Sequence, residues 1–367
     1  MVTHASLIFI LILFPLLVES TNAISESKKC SASPLTFFFE EYLQIHPYAL
    51  INLHKHNRPW NNTVPTPVFG DRDDYDITGF IAAGGFAKVF KVIHQPSKQT
   101  LALKIFVFVP EATIFKEIQI LKDLENAPNA LPLKDVIKDR SGMIGLVFDL
   151  FPQTDYKPLF YETTEYQIRY FFYETLRTLE YAHSRGIMHR DIKPQNVLMD
   201  MKSNQVKIID WGHGAYYFPG KEYDVKVASM PYKGPELLLN YKMHDYSLDI
   251  WSTGCLFGAL LFRKMPFFRG EDLTSQLNAI AKILGTTKLK QYADKYKEFM
   301  DVSILEKIGQ YPEIPFERFT NKDNKHLLNS QAIDLLKKML VYDHAKRITA
   351  REALKHPYFT EFNKPNL

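Results

Sequence analysis

The sequence predicts an α+β fold of two lobes, a small strand-rich lobe followed by a larger, mainly helical one. Three observations carry that expectation. At 367 residues the chain is longer than one hydrophobic core usually organises. From Asp76 to Asp149 it reads as short β-branched and aromatic runs broken by glycine, and from Glu165 onward it reads in helical periods. Hydrophobic residues make up 46% of the chain, which fits a folded protein rather than a disordered one. The 45 basic and 41 acidic side chains leave a net charge of only +4, which argues against nucleic acid or a membrane surface as the main partner. The two cysteines, Cys30 and Cys255, give neither a disulfide framework nor a zinc spacing.

The chain divides into 1–23, 24–74, 75–151, 152–360 and a tail, 361–367. Leu7 to Val18 is an apolar run too short for a bilayer, which takes roughly 20 residues. With the small residues Ser20-Thr21-Asn22-Ala23 after it, 1–23 is expected to be a secretory signal peptide cleaved after Ala23, leaving no membrane span, the alternative being a buried or amphipathic leader that is never cleaved or a mispredicted start. Asn61-Asn62-Thr63 is an acceptor sequon compatible with that route. Leu35 to Ile45 is expected to form a short helix. Arg58 to Gly70, with three prolines, is expected to run extended along the surface of the lobes rather than to form a domain.

The small lobe opens on strand, turn, strand: Ile77–Ile81, then Ala82-Ala83-Gly84-Gly85-Phe86-Ala87, then Lys88–Val92. Without a Cβ at Gly84 and Gly85, backbone N–H groups can approach a phosphate closely, although most such pairs are only hairpin turns. The next strand, Leu101–Phe106, sets Lys104 among apolar residues, where an ammonium needs an acidic partner to offset its desolvation. Thr113 to Leu124 has helical periodicity and carries that partner, Glu117. Leu146 to Asp149 reads as the last strand, with a hinge near Leu150-Phe151.

In the large lobe, Glu165–Ser184 is an amphipathic helix closed by Gly186. It leads to Ile187–Asp200, where apolar pairs flank His189, Arg190, Asp191, Lys193 and Asn196, a concentration of polar chemistry that a loop merely facing water does not need. Gln205 to Gly212 reads as a strand ending in an acid at a turn, Asp210-Trp211-Gly212. Asp210 and Asn196 offer the hard oxygen ligands that Mg²⁺ prefers. Gly234-Pro235-Glu236 and Arg347 read as scaffold.

His189-Arg190-Asp191 with Asn196 five residues after the Asp matches the protein kinase catalytic loop, and Lys104, Glu117, Asp210 and Glu236 fall in kinase order. The chain is similar more narrowly to the casein kinase II catalytic α subunit, through Gly186–Asp191, Ile209-Asp210-Trp211-Gly212, Pro219–Tyr223, Val227-Ala228-Ser229, Lys233–Glu236 and Phe262–Phe268. The resemblance, from about Ile51 to Phe359, implies a two-lobe kinase that transfers the γ-phosphoryl group of ATP, and often GTP, to Ser or Thr with Mg²⁺. It implies activity without activation-loop phosphorylation, with Ile51–Gly70 packed on that loop. Asp191 would orient the substrate hydroxyl, Lys193 would steady the γ-phosphoryl charge, and Asn196 and Asp210 would hold the metal. Ile81 and the turn residues Ala82 to Ala87 would cover the nucleotide. Val89, Ala102, Phe148, Leu198 and Ile209 would form the adenine slot, or else plain core.

The chain departs from the family where substrate is chosen. The family reads acidic residues after the target with basic side chains, but Val107–Thr113 has no lysine and Met230 replaces an arginine. Lys226 and Lys233 remain, so the expectation is a preference for acid at the next position with a weakened demand farther along. The family's regulatory β subunit docks on apolar small-lobe strands, and Ile77, Phe90, Leu103 and Ile105 would offer such a face here or else belong to the core. The leader points to the secretory pathway or outside the cell, whereas the family's catalytic subunits typically work in cytosol and nucleus. The competing reading is a catalytically impaired kinase fold acting as a binding module. It rests on the stripped basic patch and on Ala82 and Ala87, which stand where the family's glycine-rich loop has glycines.

Overall fold

The computed structural model describes residues 47–53, 65–152 and 160–363. The expected leader, the helix over Leu35–Ile45, the sequon at Asn61, Cys30 and the last four residues lie outside them.

Five strands form one antiparallel sheet: β1 (Tyr75–Ala83), β2 (Ala87–His94), β3 (Gln99–Phe106), β4 (Leu133–Lys138) and β5 (Ile144–Asp149), in the order β1-β2-β3-β5-β4. The helix α1 (Glu111–Asp123) lies between β3 and β4 in the chain. Strict alternation along β3 decides what the sheet presents on each face. Leu101 and Leu103 are buried, with Tyr75, Val92, Ile137 and Val147, in one cluster. Ala102 and Lys104 point the other way and are half-buried. The register pairs Lys104 with Val89 and Ala102 with Phe148, so all four share that second face.

Of the four residues expected to form a docking face or core, the structure separates core from surface. Leu103 is fully buried and belongs to the core, and Phe90 and Ile105 are partly buried against it. Ile77 is exposed, as is Phe80, which meets the Phe90 ring edge-on at 5.8 Å. The expected turn also shrinks to Gly84-Gly85-Phe86, because Ala82 and Ala83 pair with Val89 and Lys88 in the sheet.

The large lobe begins with α2 (Glu165–Ser184). Its start is fixed by a capping box: the Thr164 hydroxyl accepts from the Gln167 N–H while the Gln167 side chain accepts from the Thr164 N–H. The chain then forms β6 (Ile187–Met188), β7 (Val197–Asp200), β8 (Gln205–Ile208) and β9 (Ala215–Tyr216), with β6 paired to β9 and β7 to β8. The polar stretch 189–196 is therefore held between two short strands, as its flanking apolar pairs suggest. Next come α3 (Pro235–Leu238), α4 (Ser247–Leu261), α5 (Leu273–Leu284), α6 (Thr286–Lys295), α7 (Ser330–Met339) and α8 (Ala350–Leu354). Every residue of α4 is buried, and it packs between α2 and α7. No helix among the described residues is long and apolar enough to cross a membrane.

The segment ahead of the small lobe is tied to both lobes. Tyr48 donates its hydroxyl to Glu180, and Arg351 lies over its ring. The Asn52 amide donates to the Gly186 carbonyl at 2.7 Å and to the Tyr217 carbonyl at 2.8 Å. Gly186 has φ +77°, and a Cβ there would stand 2.2 Å from Asn52 Nδ2, so only glycine closes α2 and admits Asn52 together. Farther on, the Gly70 N–H donates to the Val136 carbonyl of β4 at 2.8 Å. Of the stretch Ile51–Gly70 expected to pack on the activation loop, Asn52 reaches it through the Tyr217 carbonyl, and residues 54–64 lie outside the described ones.

Behind the site, Arg347 and Glu236 form a two-pronged ion pair, 2.6 Å on each prong, with both side chains fully buried. Removing one partner strands a buried charge, so Arg347→Met is expected to cost about 3–5 kcal/mol. The double variant Glu236→Leu/Arg347→Met is expected to recover much of that loss. Denaturation midpoints check this; a single variant as stable as the parent would contradict it.

Candidate active site

Two clusters of side chains meet where the sheet faces the polar loop. In the first, the Lys104 ammonium lies 2.7 Å from Glu117 Oε1 and 2.8 Å from Asp210 Oδ1. Three elements supply these groups: β3, α1 and the turn after β8. Glu117 falls on the buried face of α1 with Ile114, Ile118 and Leu121, so the lysine is its neutralising partner rather than an accident of the surface. Burial opposes the Lys104 charge, but Glu117 and Asp210 outweigh it and hold the ammonium well above the usual lysine range. Burial likewise works against an ionised Asp210, yet the Lys104 charge and hydrogen bond bring its carboxyl down to about 2. For Glu117 burial wins and pushes the acid upward.

In the second cluster, four donors converge on Asp191. One carboxylate oxygen accepts from Lys193 Nζ at 2.6 Å and from Asn196 Nδ2 at 3.1 Å. The other accepts from the Ser229 N–H at 3.0 Å and the Ser229 hydroxyl at 3.1 Å. Lys193 also reaches the Ser229 hydroxyl at 3.1 Å, and Asn196 the Asp191 carbonyl at 2.8 Å. Asp191 is held in one orientation from both sides.

The backbone is strained at three places next to these groups. Arg190, Asp210 and Ala228 have φ of 67°, 62° and 60°, a region that non-glycine residues visit at a cost of about 1–3 kcal/mol each. Their supports are visible. Asp249, buried on α4, accepts from the N–H groups of His189 at 2.9 Å and Arg190 at 2.7 Å, and is itself bonded to His183 at 2.9 Å. Burial disfavours its charge, but the His183 bond leads the interactions that hold its carboxyl below the usual range. The His189 ring contacts the Ile209 carbonyl at 3.1 Å and packs on Trp211 at 4.5 Å. The Ile209 N–H donates to the Asn196 carbonyl at 2.9 Å, tying the Asp210 turn to the Asn196 loop. A Cβ at Gly212 would stand 3.1 Å from Glu117, so this turn needs a small residue there.

The donors fit a divalent cation. Asn196 spends its amide hydrogens on Asp191, which leaves its carbonyl oxygen for a metal, and Asp210 is an ionised carboxylate whose side chain is 41% exposed. Two oxygen ligands suit Mg²⁺, which keeps several waters or phosphate oxygens for the rest of its shell. When bound, the metal supplies charge neutralisation for phosphate. Lys104, Glu117, Asp210, Asp191 and Lys193 carry formal charges that sum to −1, which favours a bound dication.

Most sequence-derived site residues are found here. Val89, Ala102, Phe148, Leu198 and Ile209 are all half-buried. The first three share the Lys104 face of the sheet. Gly84 closes the turn with its N–H on the Ala87 carbonyl at 2.8 Å, and Phe86 is exposed at its tip. Neither Gly84 nor Gly85 has positive φ, and a Cβ on Gly85 would meet nothing, so that turn stays open toward a ligand.

Lys233 departs from expectation. It is buried, its ammonium donates to the Val225 carbonyl at 3.1 Å and to that of Val227, and burial pushes it below the usual lysine range. It fastens the activation segment from within, while Lys226 remains exposed. Sequence reasoning missed the roles of Ser229 and Asp249, and also Lys116. This last group, on α1, is brought to about 8 by burial and then by Arg190 and Lys221. The signal for Ser229 and Asp249 was weak, since the side chain of each pairs only across 36 residues or more.

Such a cleft, with an anchored lysine, an oriented carboxylate and two metal-fitting oxygens, defines a phosphotransferase. Residues 75–359 match the protein kinase domain family, and the chain belongs to that family. It is a protein kinase, an enzyme that phosphorylates proteins and, as protein kinases do, draws on ATP and Mg²⁺.

Ser229 and Lys193 separate into distinct expectations. Lys193→Ala is expected to lower kcat by roughly 10²–10³-fold, as loss of a preorganised charge does. Ser229→Ala removes one of four donors on Asp191 and is expected to lower kcat by about 3–10-fold with the KM for ATP unchanged. Steady-state kinetics on a peptide substrate measures both; a Ser229→Ala effect confined to KM for ATP would contradict the positioning role.

Proposed function

We propose that the protein is a constitutively active serine/threonine kinase of the casein kinase II type. The observation that carries this reading is the Lys193–Asp191–Ser229 cluster. A lysine two residues after the catalytic Asp is typical of Ser/Thr kinases, and here it bridges that Asp and the activation segment. Asp191 would accept or orient the hydroxyl proton of the substrate while Lys193 steadies the transferring phosphoryl group, so catalysis rests on positioning and electrostatics.

Three contacts support activity without a phosphorylated activation segment. Asn52 holds the Tyr217 carbonyl, Tyr216 donates its hydroxyl to Asp123 of α1 at 2.6 Å, and β9 is already paired with β6. Arg190, the cation that an activation phosphate would engage, instead donates to the His213 carbonyl at 2.7 Å. The impaired-kinase reading has only Ala82 and Ala87 and the thinned basic patch behind it. Both alanines are paired within the sheet, Ala82 with Val89 just after a register shift in β1 and Ala87 with Phe106.

Substrate preference narrows further than the sequence suggests. With Lys233 turned inward, Lys226 is the exposed cation left of the pair, so acid immediately after the target is favoured and acid at the third position matters little. Phosphorylation of a peptide series with one acid moved along the positions is expected to show this, with Asp191→Asn abolishing the signal throughout. Equal phosphorylation by Asp191→Asn would return the reading to a binding module, and full dependence on acid at the third position would overturn the specificity.

We also propose the secretory pathway as the site of action, on the strength of the apolar leader. Mass spectrometry of the protein from its native cells is expected to find an amino terminus at or near Ile24; a retained Met1 would count against secretion.

A further inference from the structure

Far along the chain from the catalytic loop, α5 and the loops before and after it enclose an open pocket of about 810 Å³. Four cations line it, Lys264, Arg269, Lys282 and Lys307, and no aspartate or glutamate does. All four are exposed, and none takes part in an ion pair among the described residues. Other lysines nearby behave differently. Lys288 pairs with Glu313 at 2.6 Å, Lys295 with Asp343 at 3.1 Å and Lys337 with Glu317 at 2.9 Å. The formal charge of the four lining cations, +4, equals the net charge of the whole 367-residue chain, so the rest of the molecule is balanced.

The pocket has an apolar floor as well as a basic rim. Lys264 Nζ lies 5.5 Å from the Phe267 ring centre and 5.6 Å from that of Phe319, and Lys282 Nζ lies 5.7 Å from the Tyr311 ring. The aromatic faces hold the lysine stems against the wall while their heads stay in water. Burial lowers the Lys264 ammonium from its ordinary range, as expected of a cation at the edge of an apolar cavity. The wall is firm: Asn278 of α5 donates to the Lys307 carbonyl at 3.3 Å and accepts from the Gly309 N–H at 3.1 Å.

We infer that this pocket docks an acidic segment of a partner protein, with carboxylates or phosphates on the Lys264, Arg269, Lys282 and Lys307 rim and an apolar side chain on the Phe267–Phe319 floor. Charge complementarity selects an anion. The aromatic floor selects a peptide over a free phosphate, and the concavity selects it over a flat bilayer. Lys226 does not line this pocket, and the inference does not depend on the specificity proposed above.

The test uses the full chain and a fluorescein-labelled peptide of glutamates around a central Phe-Leu pair, without Ser, Thr or Tyr, so that it cannot be phosphorylated. Saturable anisotropy is expected, weakened at least ~10-fold by Lys282→Glu/Lys307→Glu and less by the neutral Lys282→Gln/Lys307→Gln pair. Both variants are expected to keep the parent's kcat on a short peptide substrate, which shows that they fold. Lys226→Glu is expected to change probe binding by less than about 2-fold, because screening over a Debye length of ~8 Å isolates distant sites. Absent binding, binding indifferent to the double charge reversal, or equal loss in Lys226→Glu would overturn the proposal. So would phosphatidylserine vesicles or a second copy of the chain binding the parent, but not the double variant, in place of the peptide.

Discussion

A single buried carboxylate carries much of the catalytic architecture. Asp249 sits inside a helix with no solvent face, and it accepts from two successive backbone N–H groups and one imidazole. An ionised acid at such a position is tolerable only when its oxygens are filled with donors. That requirement runs in both directions. The donors that satisfy Asp249 are those of His189 and Arg190, so the backbone of the loop is fixed where it turns through a positive φ. Asp191 is the next residue, and its direction is inherited from that turn. The most buried helix of the large lobe thus sets the aim of a side chain in the cleft.

From this anchor the rest of the cleft is tied by short-range links. His189 spans the loop and the Asp210 turn, the Asn196 carbonyl binds the Ile209 N–H, and Asp210 shares its lysine with Glu117 of the small lobe. Any rotation of α1 away from the sheet breaks the Lys104 pair and leaves Glu117 buried without its counter-charge. The closed arrangement of the two lobes is therefore an electrostatic condition as much as a packing one.

How much of this is legible in the sequence depends on how local each interaction is. Helix α2 was readable to the residue, because Thr164, Gln167 and Gly186 mark its ends with local chemistry. Residues 189–196 announced themselves by polar density between apolar pairs. Strand β4 did not, since Lys134, Asp135 and Lys138 interrupt its pattern and only Val136 and Ile137 are buried. Lys104 looked like a lysine among buried neighbours. The pleat instead turns it to the cleft, which explains why it meets two acids rather than one. Leu103 stayed open between surface and core, and Lys233 was misplaced, for the same reason: a residue's type does not disclose which way a strand faces or which carbonyls a loop folds over it. Ser229 and Asp249 act through contacts that no local spacing encodes.

The Asn52 amide, seated over Gly186, has a consequence for where the protein begins. Homology to the kinase family starts at residue 75, yet the compact unit runs from Ile45, and Gly186 has no room for any side chain because one from the preceding segment already fills the space. The heritable module and the mechanical one have different left-hand borders. A chain cut at the border of homology would take the Asn52 amide away from the Gly186 and Tyr217 carbonyls. The leading segment is in that sense a built-in subunit, covalently supplied and permanently engaged.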